Sequence, residues 1–342
     1  MRSVTFLCCI LLLLAACKHP VPRKVTPAFY FWKSIWTGNA TENAYLRQLP
    51  AGRLYIKMFD VDVDEMTKQP VPVAVFRQQV PLPDSMDIVP VVFFMNEVWE
   101  HPDTTLATKV AQLLQHLCRS IPAARIPEIQ LDCDWTKTSR DVYFAFLQAL
   151  RRQPFVREHL LSATIRMHQV KYVGSSGIPP VEKGLLMCYN MGDLRKEGDH
   201  NSIIDPSTLA SYIGQNRIAE YPLPLDIALP LFEWTVLFYQ GRYEGILRNV
   251  GSAELHDTAL FAPAGKQLFT VKKDTLLNGY YLHTGSTIRR ETSTHKELEA
   301  AARMVAQQRQ QYNPVIIFYH LDSVTLHNYP LDELQKIYRL FN

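Results

Sequence analysis

Eight runs of apolar, β-branched and aromatic residues recur along this chain, and they are nearly continuous rather than alternating. They are AFYFWKSIW (28–36), RLYIKMFDVD (53–62), IVPVVFFMNEVW (88–99), IPEIQLDCDW (126–135), LLSATIRMH (160–168), GLLMCYNMGD (184–193), LDIALPLFEWTVLF (225–238) and PVIIFYHLDS (314–323). A strand wetted on one face alternates polar and apolar residues, whereas a run apolar on both faces belongs to a covered, parallel sheet. Helical periodicity fills several gaps. Leu106, Val110, Leu113, Leu114 and Leu117 keep a 3.6-residue spacing across 103–118, and Val142, Tyr143, Phe146, Leu147 and Leu150 do so across 139–151, with Ser139 as N-cap. Further helices are expected at 206–214, 294–311 and 331–340. Parallel strands need crossovers, and eight of them with helical crossovers over 342 residues predict an α/β fold, the (β/α)8 TIM barrel. A doubly wound open sheet is the alternative, but no Gly-rich phosphate turn follows the first run.

The gap between the seventh and eighth runs is too long for one crossover. Within it KQLFTVKKDTLLNGYYLHT (266–284) reads as a strand pair turning at Asn278-Gly279. A small α+β insertion between strands 7 and 8, at about 240–290, is therefore expected.

The N-terminus has the layout of a secretory leader: one basic residue, a short apolar stretch, then Leu14-Ala15-Ala16-Cys17. That tetrapeptide matches a bacterial lipoprotein box. The expectation is a lipoprotein signal peptide at 1–16, acyl chains such as palmitate on Cys17, a Pro-rich tether over 17–27, and the barrel domain over 28–342. Lys18 lacks the acidic character that holds many lipoproteins in the inner membrane, so an outer-membrane site facing the periplasm is expected. Cys118, Cys133 and Cys188 remain; an odd, widely spaced set reads as buried thiols, not a disulfide framework or a zinc site. A net charge of +3, with no basic cluster interleaved with aromatics, argues against nucleic acid.

In such a barrel chemistry sits at the C-terminal strand ends. Alternation puts Gln130, Asp132 and Asp134 on one face. Other runs end on Asp60 and Asp62, on Asn96 and Glu97, on Tyr189, Asn190 and Asp193, and on Glu233. Trp32, Trp36, Trp99, Trp135 and Trp234 lie close by in sequence, and Tyr319 lies in the last run. Carboxylates ringed by flat aromatic faces suit a sugar, although core packing is the commoner fate of any one Trp. Arg166 is expected to pair with a strand-four Asp. Asp60, Asp62 and Asp64 lack the Gly and Glu of a calcium loop, His168, His320 and His327 lack metal-binding spacing, and VGSSG (173–177) reads as a loop. No metal or cofactor is expected.

LDCDWTKT (131–138) resembles the strand-four motif D-x-x-D-x-D-x-E of the family-18 glycoside hydrolases, the chitinase and endo-N-acetylglucosaminidase group. MCYNMGD (187–193) resembles their strand-six M-x-Y-D, and LDIALPLFEW (225–234) their seventh strand. The resemblance spans roughly 28–340 and implies a TIM barrel acting on N-acetylated glycans. It further implies that Asp132 and Asp134 are the motif's last two Asp residues, that Asp134 orients the substrate acetamido group and that Tyr189 hydrogen-bonds it. The departures bear on catalysis: Thr136 stands where the family's proton-donating Glu belongs, Ile129 replaces the first Asp, Asn190 replaces the strand-six Asp, and Phe318-Tyr319 replace a strand-eight Trp. A threonine hydroxyl does not donate a proton near neutral pH as a raised-pKa carboxyl does.

Three functions follow as expectations. One is a glycoside hydrolase with redistributed acids: Asp132, Asp134, Glu233 and Tyr189 form the catalytic set, with Asp134 and Glu233 facing across the mouth. Carboxyl spacings of ~5 Å or ~6.5–9.5 Å would then dictate retention or inversion. The second is a non-catalytic glycan-binding lipoprotein, and the third a structural or assembly envelope lipoprotein. Trp32, Asp60, Glu97, Asn190, Trp234 and Tyr319 are the expected substrate-binding residues, with an oligosaccharide and a membrane as partners.

Overall fold

The structure is a computed structural model and describes residues 24–101, 103–308 and 313–342. The expected signal peptide, Cys17 and most of the expected tether fall outside the described residues.

Eight parallel strands form the barrel: β1 (Thr26–Phe31), β2 (Arg53–Val63), β3 (Asp87–Phe94), β4 (Glu128–Cys133), β5 (Leu160–Arg166), β6 (Lys183–Met187), β7 (Leu225–Pro230) and β8 (Val315–Tyr319). Each strand pairs with its successor, and β8 pairs with β1, so the sheet closes and the open-sheet alternative is excluded. Closure leaves no free edge among these strands. Helices cover the outside; Arg140–Arg151, for example, buries Tyr143, Phe146, Leu147 and Leu150 against the sheet. At the seam the Thr26 amide donates to the Pro314 carbonyl at 3.0 Å. The Tyr338 hydroxyl donates to the Ala28 carbonyl at 3.1 Å.

The two faces of β4 are both buried but chemically opposite. Ile129, Leu131 and Cys133 belong to the apolar layer under the helices, whereas Glu128, Gln130 and Asp132 form polar contacts in the barrel interior. Glu128 accepts from Tyr55 Oη and Arg53 Nη1 at 3.2 Å, Ser162 Oγ at 2.5 Å and Lys183 Nζ at 2.7 Å. Lys183 also pairs with Asp226 at 2.5 Å. These partners satisfy charges that would be costly to bury alone. Burial nevertheless pushes the Asp226 carboxyl up to about 6, against the opposing pull of Lys183. Cys118, Cys133 and Cys188 are free, buried thiols.

One local irregularity shapes the mouth. The β2–β3 register shifts between Lys57 and Phe59. The Met58 carbonyl turns aside to accept from the Phe76 amide at 2.7 Å. A bulge of this kind reverses side-chain alternation beyond it. Asp60 is thereby brought to Lys57, three residues earlier, at 2.8 Å.

The seventh apolar run is two strands, not one. It turns at Leu231-Phe232, where the Leu231 amide donates to the Tyr319 carbonyl and the Ser293 amide to the Phe232 carbonyl. Glu233–Tyr239 then opens an antiparallel sheet with Arg242–Leu247, Thr287–Thr292, Leu268–Val271 and Phe261–Pro263. The insertion's sheet therefore begins at Glu233 and ends at Thr292, wider than the sequence suggests, and Glu233 and Trp234 belong to it. It has its own apolar cluster around Leu237, Phe261, Leu282 and Ile288. The Asn278-Gly279 turn joins Thr275–Leu277 to Tyr280–Leu282, with φ of +49° and +87° at the two turn residues. Such paired positive φ values match the twist of a two-residue hairpin. Arg289 fastens the insertion to the loop after β6. Fully buried, it pairs with Glu291 at 2.6 Å and donates to the carbonyls of Leu194, Lys196 and Gly198. Glu291 in turn accepts from the Ser202 amide and hydroxyl, the latter at 2.6 Å.

Candidate functional site

The C-terminal strand ends form a mouth floored by aromatic rings. Tyr319, the last residue of β8, is central. Its ring lies 5.2 Å from that of Tyr189, nearly parallel, 5.5 Å from Trp32 and 5.7 Å from both Tyr30 and Phe232. Phe232 passes the row on to Trp234 at 5.3 Å. Lys57 Nζ sits 5.5 Å from the centre of the Trp32 ring, a cation–π contact. Trp32, Tyr319 and Trp234 are half-buried. Side chains that are neither core nor fully wet suit an apolar surface that receives a ligand.

The other three tryptophans are not at the mouth. Trp36 and Trp135 are essentially inaccessible and Trp99 is buried. Trp99 packs on Phe94, Tyr143 and Phe146 with its Nε1 toward Cys133 Sγ, and Trp135 donates to the Ser176 carbonyl at 2.9 Å. Trp99 lies on the one-turn helix after β3 and Trp135 two residues beyond β4, and both rings pack against Tyr143 of helix Arg140–Arg151. The five-tryptophan ring suggested by sequence proximity is therefore a pair.

Asp132 lies just beneath the rim. Its Oδ1 accepts from Thr164 Oγ1 at 2.6 Å. Burial, reinforced by the neighbouring Asp134 charge, raises its carboxyl to about 7, with the Thr164 hydrogen bond and Arg166 opposing. Asp134 is half-exposed and bound to Arg166 at 2.7 Å, as the sequence leads one to expect. Arg166 also donates to the Asn190 carbonyl at 3.3 Å. Glu233 is held by Arg290 at 2.6 Å. Both rim carboxylates proposed as a catalytic pair are thus engaged by arginines. Neither sits in an apolar pocket: the Asp134 side chain is 51% exposed and that of Glu233 27%.

Thr136 is exposed and occupied locally. Its amide donates to Ser139 Oγ at 2.9 Å, and its hydroxyl shares a hydrogen bond with Thr138 at 2.8 Å. Ser139 occupies the N-cap position of Arg140–Arg151 as expected, but its side chain makes no capping bond to the helix; its hydroxyl serves this threonine turn and donates to Asn96 Oδ1 at 2.8 Å instead. Glu97, on the exposed turn Asn96–Glu100, makes no hydrogen bond or ion pair. Asp60 is tied to Lys57. VGSSG is a short helix, Val173–Ser176, closed by Gly177 at φ +72°.

Several polar atoms at the mouth have no protein partner. Trp234 Nε1 and Asn190 Oδ1 are buried and unpaired. Beside Arg166, a cavity of about 310 Å³ is lined by His168, Asn190, Asp193 and Tyr212. Among the described residues no group of three His, Cys, Asp or Glu side chains is placed to hold a metal ion. Thr164, Lys57, Arg290 and Phe232 are site residues that motif reading passed over. Thr164 was findable, since Ser162, Thr164 and Arg166 alternate within an otherwise apolar run. Lys57 and Arg290 were not, because one depends on the bulge and the other on the fold of the insertion.

No family model and no curated relative matches the sequence. Solved structures do match its fold. The spore cortex-lytic enzyme SleL of Bacillus megaterium is 11% identical with a TM-score of 0.53, over 94% of this chain and 75% of that one. A chitinase from Chromobacterium violaceum is 11% identical with a TM-score of 0.51, over 93% and 98%. A mutant second catalytic domain of the Ostrinia furnacalis Group II chitinase, in complex with penta-N-acetylchitooctaose, is 10% identical with a TM-score of 0.51, over 92% and 95%. The (β/α)8 barrel of this chain is the fold those hydrolases share.

Proposed function

We propose that the mouth of this barrel binds an oligosaccharide, N-acetylated or plain, without cleaving it, in a protein anchored to the cell envelope through acylated Cys17. One observation carries the reading. A row of half-buried aromatic rings with unpaired hydrogen-bonding atoms lies beside carboxylates already engaged by arginines. Such a mouth offers flat faces and directional polar groups, which position a sugar ring, and it withholds the free acid that would break a glycosidic bond. The fold likeness to hydrolases, one of them solved with an oligosaccharide, supports the choice of ligand class. The replacement of the family's acid by Thr136 supports binding over turnover.

Calorimetric titration with a panel of N-acetylated and plain oligosaccharides tests this. Binding is expected, with at least a tenfold loss in Tyr319→Ala, and no new reducing ends on prolonged incubation. A panel with no binder at all would point instead to an assembly role and overturn the proposal. Hydrolysis stands as a second reading because Asp132 carries its proton close to neutral pH. Product release that disappears in Asp132→Asn would establish it. Acylation is tested separately, by the mass of the mature N-terminus and its change in Cys17→Ser.

A further inference from the structure

We infer that the end of the barrel opposite the mouth is a basic surface that lies on anionic lipid headgroups, so that the mouth points away from the membrane. The inference rests on the envelope reading above and adds the orientation. In a closed parallel barrel each helix carries the chain back, so its last turn lies at the end where the next strand starts. At that end Arg47, Arg119, Arg152, Arg157 and Arg339 are exposed, each in or just after the last turn of a helix, and Lys24 is exposed beside the start of β1. Among the described residues none of the six has an ion-pair partner, and Arg119 Nη1 lies 3.5 Å from His116 Nδ1. The acids of the same end are largely committed: Asp84 holds Arg125 at 3.1 Å and Glu182 holds Arg151 at 2.7 Å. Asp87, at the start of β3, lies 3.7 Å from Arg53. Among the described residues Glu158 and Glu220 remain, too few to neutralise the cations. Helix dipoles explain why a cation is favoured at each last turn. Their collection on one face still makes a positive surface, whatever holds each in place.

The path of the chain argues for lipid as the occupant. The undescribed residues 1–23 join the structure at Lys24, whose amide donates to Asn313 Oδ1 at 2.9 Å at this same end. An anchor on Cys17 therefore draws this face, not the mouth, toward the bilayer. The intervening KHPVPR (18–23) adds Lys18 and Arg23. Basic groups within a Debye length of an anionic leaflet each strengthen association about fivefold.

Residues 24–342 contain all eight barrel strands and the core between them, so this portion presents the surface without leader or anchor. Its flotation with phosphatidylcholine vesicles is compared with vesicles that also contain phosphatidylglycerol. Association with the anionic vesicles alone is expected, reversed by high salt. It should weaken about a hundredfold in Arg47→Gln/Arg152→Gln/Arg157→Gln, whose fold is checked by circular dichroism. Equal association with both vesicle types, none with either, or an unaffected triple variant would overturn the inference. Failure of Cys17 acylation in the full chain would remove the anchor but leave the flotation result readable by itself.

Discussion

Replacing Asp132 by Asn should stabilise this protein, and should do so only above the acid range. Asp132 is 8% exposed, and its carboxyl is raised from 3.8 to about 7. A carboxyl with a raised folded-state pKa keeps its proton in the native state after the unfolded chain has lost it. Between about pH 4 and pH 7 the native state therefore binds more protons, and stability falls as pH rises. Three units at 1.36 kcal/mol each come to about 4 kcal/mol, fully incurred above pH 7 and absent below pH 4. Asparagine cannot ionise, and its Oδ1 can still accept from Thr164 Oγ1, which lies 2.6 Å from the present oxygen. Urea unfolding of both proteins across this range measures the difference. Asp132→Asn should be more stable by up to about 4 kcal/mol at pH 8 and by little at pH 4. Asp226 also titrates in this window but is common to both chains, so the difference isolates Asp132. An Asp132→Asn protein equal to or weaker than the parent at pH 8 would refute the reasoning. A carboxylate retained at such expense is the group that the hydrolytic reading of the mouth would use.

Arg289→Ala should destabilise by about 3–5 kcal/mol, because it strands the buried Glu291 charge; thermal unfolding reads it, and Arg289→Met/Glu291→Leu should recover part of the loss. Trp32→Ala should weaken oligosaccharide binding about tenfold with little change in melting temperature, consistent with one good aromatic contact. Trp135→Ala should do the opposite, costing about 3–5 kcal/mol of stability, with any effect on binding following from unfolding alone. Gly184→Ala should cost about 1–3 kcal/mol by overpacking. Its added methyl would fall 2.7 Å from Leu225 Cδ2 and 2.8 Å from Ile165 Cγ1, between three barrel strands. Chemical denaturation measures both stability losses.

The barrel was legible because its cause is local and repeated. Continuous apolar runs such as IVPVVFF need cover on both faces, and the spacing between runs leaves room for helices. Every barrel strand overlaps one of the eight runs, and none extends more than two residues outside it. Arg166 beside Asp134 was legible too, since β4 and β5 had to be neighbours. What failed was the reading of single positions near strand ends. Trp99 stands near the rim in sequence, yet the one-turn helix beyond β3 carries it onto Tyr143 and Phe146. Glu233 looked like the end of β7, yet a turn inside an unbroken apolar run makes it the start of another sheet.

Sequence alone determined that this chain closes a barrel and that its acids gather at strand ends, because burial of apolar runs is a property of composition and period. Tertiary structure alone decided which acids stay free. The bulge in β2 brings Lys57 to Asp60, the insertion delivers Arg290 to Glu233, and packing under Asp134 keeps a proton on Asp132. Charges find partners through space, across residues far apart in the chain, and a linear pattern carries no record of that distance.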